Sequence, residues 1–205
     1  MNNQILLNGT RGIYSFFKHQ ISKLRIRYLI KEKQEIWLEI GSGDSGENGW
    51  TTLDITNKCD IFWDIRRGLP FPNESISKIY SSHFLEHLSY KEGQRFLEES
   101  MRVLIPSGTF SICVPNARLY IEAYVKCYPL DHFCKYIPAY NNTTKIDYVN
   151  YMAYMDGHHK YMFDEENLLF ILESAGFRNA HLRQFNSDID LKKRDYESIY
   201  GEAEK

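Results

Sequence analysis

From Ile36 onward, short apolar runs alternate with longer segments whose apolar residues recur at helical spacing. This alternation predicts an α/β fold, in which a mostly parallel sheet carries helices on both faces. Ser89 and Glu92 form a capping box before one helix, and Asp164 precedes another that Gly176 ends. The predicted strands lie near residues 36–40, 50–55, 60–64, 78–83, 109–114, 178–185 and 196–203.

Residues 11–34 form a further predicted helix in front of this alternation. Its apolar residues fall on one stripe, which predicts a face packed on the core, and most other positions are basic. A basic amphipathic helix also suits a membrane surface, and that alternative stays open. We expect residues 1–35 to be a helical extension and 36–205 to be one domain. The stripe consists of Ile13, Phe17, Ile21, Leu24 and Tyr28.

Composition narrows the class of protein. The 205 residues are enough for one domain, and a net charge of -2 provides no global field to attract nucleic acid. The sequence has neither a signal-peptide pattern nor an apolar run of membrane-spanning length. Its four cysteines form no C-x-x-C pair, which favours reduced thiols. We therefore expect a cytoplasmic protein with no nucleic-acid partner.

A glycine-rich loop follows the first predicted strand. Gly41, Gly43 and Gly46 fit the G-x-G-x-x-G pattern of dinucleotide sites. A dinucleotide also needs a helix at the loop and an acid about 20 residues further on. Here the next strand begins near Trp50, and the acid, Asp54, comes only 13 residues after Gly41. These departures disfavour an NAD-binding dehydrogenase-like protein, which we keep as an alternative.

S-adenosylmethionine (SAM) fits this loop better, because it has no phosphate and does not need that helix. Glu39, just before the turn, would favour the ammonium and sulfonium charges of SAM. Asp54 is placed to accept hydrogen bonds from both ribose hydroxyls. A plain tight turn and a surface acid remain the simpler interpretations of each residue taken alone. A non-catalytic SAM-binding module is a further alternative.

Several motifs stand in a fixed order and together resemble the Rossmann-like (class I) SAM-dependent methyltransferases. They are LEIGSG at 38–43, GWTTLDI at 49–55, CDIFWDIRRGLPFPNESISKIYSSHFLEHL at 59–88, RVLIPSGTFSICVPN at 102–116, HKYMFDEENLLFILESAGF at 159–177 and ESIYGEAEK at 197–205. The sequence is most similar to a small bacterial branch with an LPFP…SSHxLEHL motif. The resemblance implies a single-domain, seven-stranded sheet that is shortened after the first strand.

The resemblance also implies a set of cofactor contacts. Asp64 would accept from the adenine amino group, and the Ile65 N–H would reach a ring nitrogen. Alternatively, Asp64 caps a turn with Arg66 and Arg67. His83 would border both cofactor and acceptor. The implied SAM-binding residues are Glu39, Gly41, Ser42, Gly43, Asp54, Ile55, Asp64, Ile65 and His83.

The acceptor side is less defined. His159, His158 and His83 are candidate bases, since imidazole titrates near neutral pH. Asp156 next to the His158–His159 pair suggests a metal only weakly, and we expect none. In the resembling branch the Glu86–His87 pair is commonly structural.

The tyrosine-rich stretch 116–157 suits either an acceptor-side lid or a homodimer interface. By analogy with relatives in capsule and O-antigen synthesis, we expect a small or glycan-like acceptor in surface polysaccharide biosynthesis.

Overall fold

The computed structural model describes residues 2–44, 46–128 and 143–205, with side chains from residue 16 onward. One seven-stranded sheet runs through the molecule in the order β3-β2-β1-β4-β5-β7-β6. The strands are β1 (Trp37–Ile40), β2 (Thr51–Asp54), β3 (Ile61–Phe62), β4 (Ile76–Ser82), β5 (Leu104–Pro115), β6 (Arg178–Leu182) and β7 (Ser198–Glu204). The helices are α1 (Asn2–Glu32), α2 (Tyr90–Val103), α3 (Ala117–Val125), α4 (Lys145–Tyr154) and α5 (Glu165–Ser174).

The first five strands pair in parallel, and β7 runs antiparallel to both β5 and β6. The predicted α/β class, with a mostly parallel sheet of seven strands, is therefore confirmed. β5 begins earlier than predicted, at Leu104, because Leu104 already pairs with Ile76 before a register shift. The capping box of Ser89 and Glu92 at the start of α2 and the Asp164 cap of α5 are both present.

The core lies between the sheet and its covering helices. Leu38, Ile40, Ile79 and Phe110 come from the central strands and are fully buried, and Phe96 packs on them from α2. Burial of each such side chain contributes about 1.5–3 kcal/mol. This packing holds the carboxyl ends of β1, β2 and β4 rigidly beside one another.

Helix α1 packs on the sheet through a different face from the predicted one. Ser22, Ile26 and Leu29 are buried, whereas the predicted stripe is exposed wherever its side chains are described. The Ser22 hydroxyl accepts from the Phe62 N–H at 2.9 Å and donates to the Phe62 carbonyl at 3.2 Å. β3 is an edge strand with unpaired backbone groups, and this face of α1 provides a hydrogen-bond partner for them. Exposed stripe residues are Phe17, Ile21, Leu24 and Tyr28.

The chain passes from β1 to β2 without an intervening helix in the described residues between Ile40 and Thr51. The predicted shortening after the first strand is therefore present. Among the helices that the structure describes, none has the length and apolar character needed to cross a membrane.

Candidate active site

The glycine turn begins where β1 ends. Gly41 has φ +76°, a left-handed conformation that suits glycine, and its N–H donates to the Leu53 carbonyl at 2.9 Å. A Cβ atom at this position would collide with the ring of Phe84. The turn therefore brings bare backbone up against an aromatic side chain, at the edge where ligands bind in sheets of this type.

Asp54 ties this turn to the loop after β2. Its Oδ2 atom accepts from the Gly43 N–H at 2.9 Å, and its Oδ1 atom accepts from the Ile55 and Thr56 N–H groups. The Thr56 hydroxyl donates to the Gly43 carbonyl at 2.7 Å. Asp54 therefore organises the turn through its own hydrogen bonds, in addition to lying on the wall of a cleft.

That cleft has a volume of about 630 Å³, within the usual size of small-molecule sites. Apolar side chains form most of its wall, and Asp54 and Asp64 add two carboxylates. This combination suits a nucleoside, whose base needs apolar faces and whose sugar needs acceptors. The lining residues are Gly41, Leu53, Asp54, Ile55, Trp63, Asp64, Ile65, Arg66, Phe84, His87, Leu88 and Lys160.

Asp64 forms an ion pair with the neighbouring Arg66. Its carboxylate accepts hydrogen bonds from Nε and Nη2 of Arg66, the shortest of them at 2.7 Å. It also caps the short 3-10 helix Ile65–Arg67. The Arg66 hydrogen bonds hold the pKa of Asp64 below its usual value. Asp64 therefore caps a turn with Arg66, as the alternative interpretation of the sequence predicted. An adenine amino group would have to share the carboxylate oxygens of Asp64 with the Arg66 side chain.

Glu39 lies behind the turn. It is 6% exposed, and its Oε2 atom accepts from the Glu47 N–H at 2.7 Å. Burial raises the pKa of Glu39 to about 7, because the carboxylate loses its hydration. The neighbouring Ser42 hydroxyl is buried and has no hydrogen-bond partner among the described residues. Both groups could receive a polar or cationic ligand at the turn.

A second cleft opens beside the first, with a volume of about 860 Å³ including its mouth. His87 lines both clefts, so the two meet at its side chain. Side chains from the segment after β4, from α4 and from the segment before β7 form most of the wall. The lining residues are His83, Glu86, His87, Pro115, Tyr151, Met152, Met155, His159, Lys193, Arg194 and Glu197.

His83 lies in this second cleft, at the end of β4. It has φ +48°, unusual for a residue with a side chain, and its Nε2 atom lies 2.8 Å from the Ser198 hydroxyl. Burial, with smaller effects from Arg194 and neighbouring imidazoles, lowers the pKa of His83 to about 3. The imidazole is therefore neutral at physiological pH, as a proton acceptor must be.

His159 and His158 have different surroundings. His159 is 6% exposed, its Nδ1 atom lies 2.7 Å from the Met152 carbonyl, and burial lowers its pKa. His158 is exposed, and its backbone carbonyl lies 2.9 Å from Nδ1 of His87. Of the adjacent pair, only His159 lines the second cleft with its side chain.

Glu86 is the residue that the sequence did not single out for chemistry. It is 2% exposed, and neither carboxyl oxygen has a hydrogen-bond partner among the described residues. Its Oε1 atom lies 3.6 Å from Nδ1 of His83 and 3.9 Å from Nε2 of His87. Burial raises its pKa to about 8. The H-x-x-E-H spacing at 83–87 was the available signal.

Lys193, Arg194 and Glu197 were also missed, because they lie in a polar segment without a motif. They belong to the 3-10 helix Lys192–Glu197, directly before β7. The Tyr120 hydroxyl donates to Oε2 of Glu197 at 2.6 Å, which fixes α3 against this segment.

The tyrosine-rich stretch contributes part of the second cleft through α4. Tyr151 and Met152 lie on α4, Met155 follows it, and all three are in the wall. Tyr136 and Tyr140 lie outside the described residues.

Residues 60–112 match the family model described as a methyltransferase domain. No curated protein matches the sequence.

Three solved structures share the fold. A SAM-dependent methyltransferase from Mesorhizobium loti is 17% identical, with a TM-score of 0.53, over 88% of this chain and 95% of its own. One from Archaeoglobus fulgidus is 17% identical, with a TM-score of 0.51, over 94% and 99%. Phosphoethanolamine N-methyltransferase 2 from Haemonchus contortus, in complex with SAM, is 12% identical, with a TM-score of 0.53, over 89% and 52%.

The shared fold is that of SAM-dependent methyltransferases, and the methyltransferase-domain match covers residues 60–112 within it. The domain match favours a methyltransferase over the alternative of an NAD-linked dehydrogenase. The chain also lacks the helix after β1 that a dinucleotide requires, in the described residues up to Thr51.

Proposed function

We propose that the enzyme transfers the methyl group of SAM to a hydroxyl group of a small, glycan-like acceptor. The observation that carries this proposal is the junction of two clefts at His87. One cleft has the walls of a nucleoside site, and the other is lined by imidazoles and charged groups. A methyl donor in the first would therefore face an acceptor in the second.

SAM supplies an electrophilic methyl group on its sulfonium. The chain's own task is to hold donor and acceptor in line, which accounts for much of the rate in such a displacement. The space beside Gly43 is open to the methionine part, and Asp54 keeps lone pairs for the ribose hydroxyls. Trp63 and Phe84 provide apolar surfaces in the same cleft.

The acceptor cleft favours a polar and anionic molecule. Lys193 and Arg194 lie in its wall, and Tyr151 offers a ring on which a sugar can pack. A sugar that carries a phosphate or diphosphate combines these features. This chemistry supports an activated glycan precursor in surface polysaccharide (capsule or O-antigen) biosynthesis, which is a cytoplasmic step. The stretch 116–157 then acts as a lid on the acceptor side rather than as a homodimer interface.

A hydroxyl acceptor must lose its proton as the methyl group arrives. His159 and His83 line the cleft as neutral imidazoles, and either can take that proton. We assign the role of base to His159 first, because the Nε2 atom of His83 is held by Ser198.

Two measurements test the proposal. Calorimetric titration should show micromolar binding of SAM and of its demethylated product, with no heat from NAD. Methyl-labelled SAM is then incubated with a panel of nucleotide sugars, free sugars and small amines. Label in nucleotide sugars, absent from the amines, is the expected result. Binding of SAM without label in any acceptor would favour a non-catalytic module, and label in amines alone would exclude the hydroxyl acceptor.

A further inference from the structure

Glu86 is a buried carboxyl group without a hydrogen-bond partner among the described residues. A buried carboxyl group is normally paired or hydrogen-bonded, because its desolvation is costly. Both oxygens of Glu86 lack a hydrogen-bond partner among the described residues, although three imidazoles surround the group. One ligand atom each from Glu86, His87 and His159 lies within 4.8 Å of the other two. These ligand atoms lie near one another but form no hydrogen bonds with one another.

The orientation of two imidazoles is fixed by their outer hydrogen bonds. Nδ1 of His87 lies 2.9 Å from the His158 carbonyl, and Nδ1 of His159 lies 2.7 Å from the Met152 carbonyl. A carbonyl oxygen only accepts, so each Nδ1 carries the proton and each Nε2 carries a lone pair. Metal-binding histidines are commonly held in this way, with the outer N–H on a backbone carbonyl.

From this geometry we infer that Glu86, His87 and His159 bind a divalent transition-metal ion. Two imidazoles and one carboxylate form a common donor set for zinc and for related ions such as cobalt, manganese and iron. The site differs from the weak Asp156–His158–His159 grouping in the sequence, since Asp156 and His158 are exposed. It also departs from the expectation of an enzyme without metal.

His83 lies beside the set, where it would occupy the fourth position until an acceptor oxygen replaces it. The Ser198 hydroxyl donates to the Arg194 carbonyl at 2.7 Å, so it accepts from Nε2–H of His83. The lone pair of His83 is then on Nδ1, which lies 3.6 Å from Oε1 of Glu86. Ligand atoms of a tetrahedral zinc site lie about 3.4 Å apart at the usual bond lengths. Small side-chain movements are enough to close the observed spacing.

The backbone makes the grouping rigid. The Lys160 N–H donates to the Glu86 carbonyl at 2.8 Å, which anchors the segment carrying His159 beside the end of β4. The rings of His87 and His159 lie 5.0 Å apart, edge to face. Ligands from two separate parts of the chain are thus held together before any ion arrives, which lowers the entropic cost of binding.

The ion would lie in the acceptor cleft, next to the junction with the cofactor cleft. As a Lewis acid it would bind the acceptor oxygen and lower the pKa of that hydroxyl, so that its proton leaves to solvent before methyl transfer. This role, unlike the metal site itself, rests on the proposed function. With the ion bound, His159 would serve as a ligand and would position the acceptor rather than take its proton.

The test uses the full chain, stripped with a chelator and then dialysed into chelator-free buffer. Cobalt chloride is titrated in while visible absorption is recorded, and zinc chloride is titrated by calorimetry. We expect about one ion per chain. Glu86→Gln keeps the shape of the side chain but cannot become a carboxylate ligand, and it should weaken cobalt binding at least tenfold. His181→Ala, which removes an exposed histidine on β6, is the matched control and should bind cobalt as the parent chain does.

Circular dichroism and calorimetric SAM binding are measured on every variant. A Glu86→Gln chain that stays folded, binds SAM and loses cobalt affinity supports the site. If that variant does not fold, His159→Gln replaces it under the same criteria. Failure of the parent chain to take up cobalt or zinc below about 100 μM would overturn the inference, as would equal affinity in the ligand variants. SAM binding tests the cofactor site separately, so the metal site and the proposed function can fail independently.

Discussion

Asp54 and Gly43 are joined by a hydrogen bond of 2.9 Å, from the glycine N–H to the carboxylate that ends β2. The bond makes one unit of two loops that come from neighbouring strands. Asp54 therefore shapes the turn, and in the proposed function it also offers charge to the ribose. Any substitution at this position tests both together.

We expect Asp54→Asn to weaken SAM binding at least tenfold. Loss of the charge weakens the hydrogen bonds to both the ligand and the loop, and bonds to charged groups are worth about 1.5–3 kcal/mol. The free energy of unfolding should fall by about 1 kcal/mol for the same reason. Calorimetry with SAM and urea denaturation measure the two effects.

Asp44→Asn is the control for Asp54. Asp44 follows Gly43 in the loop after β1, but it is exposed and pairs with Lys58 at 2.8 Å on the surface. Exposed pairs of this kind contribute little. Equal SAM affinities in the two variants would remove Asp54 from the cofactor site.

Local sequence patterns predicted the elements that local forces determine. The capping box at Ser89 and the cap at Asp164 appear as expected, since each uses contacts within one turn of helix. The buried face of α1 was predicted wrongly, because Ser22 makes its contact with Phe62 of an edge strand far along the chain. The cluster around Glu86 was missed for the same physical reason: His159 reaches it only through tertiary packing.

Two glycines of the same turn separate backbone strain from steric conflict. Gly41 and Gly43 both have positive φ, but a Cβ atom meets Phe84 only at Gly41 and meets open space at Gly43. Gly43→Ala should therefore cost about 1–2 kcal/mol of unfolding free energy, from the left-handed conformation alone. Gly41→Ala should cost more and should also displace Phe84 from the cofactor cleft.

Thermal unfolding and SAM titration of both alanine variants check this difference. Combining Gly41→Ala with Phe84→Ala should recover part of the lost stability, because the second change removes the obstructing ring. If Gly41→Ala were no more harmful than Gly43→Ala, the close approach between Gly41 and Phe84 would not hold in solution.

Glu39 predicts a pH dependence of SAM binding. Its pKa of about 7 means that the carboxyl group is largely protonated below neutrality. The positive charges of SAM favour the carboxylate, so binding below pH 7 must release a proton. Affinity should therefore fall as the pH decreases from 7.5 to 6, by at most about tenfold per pH unit.

Calorimetry in two buffers of different ionisation enthalpy measures the released proton directly. Glu39→Gln should bind SAM more weakly at pH 7.5 and should lose the pH dependence over this range. A parent chain whose affinity is flat between pH 6 and 7.5 would place Glu39 outside the field of the cofactor.

The two adjacent histidines provide the sharpest test of the acceptor cleft. The His159 ring is buried in the wall, whereas the His158 side chain is exposed and only its carbonyl takes part, as the acceptor for His87. His159→Ala should lower kcat about 10²–10³-fold, whether the imidazole removes the proton or holds a metal, and should leave the Kd for SAM within about twofold. His158→Ala keeps the carbonyl and should retain nearly full turnover. Steady-state kinetics with a nucleotide-sugar acceptor, together with SAM calorimetry, distinguish the two. A larger loss of kcat in His158→Ala would mean that the acceptor is held outside the cleft that His83, Glu86 and His159 line.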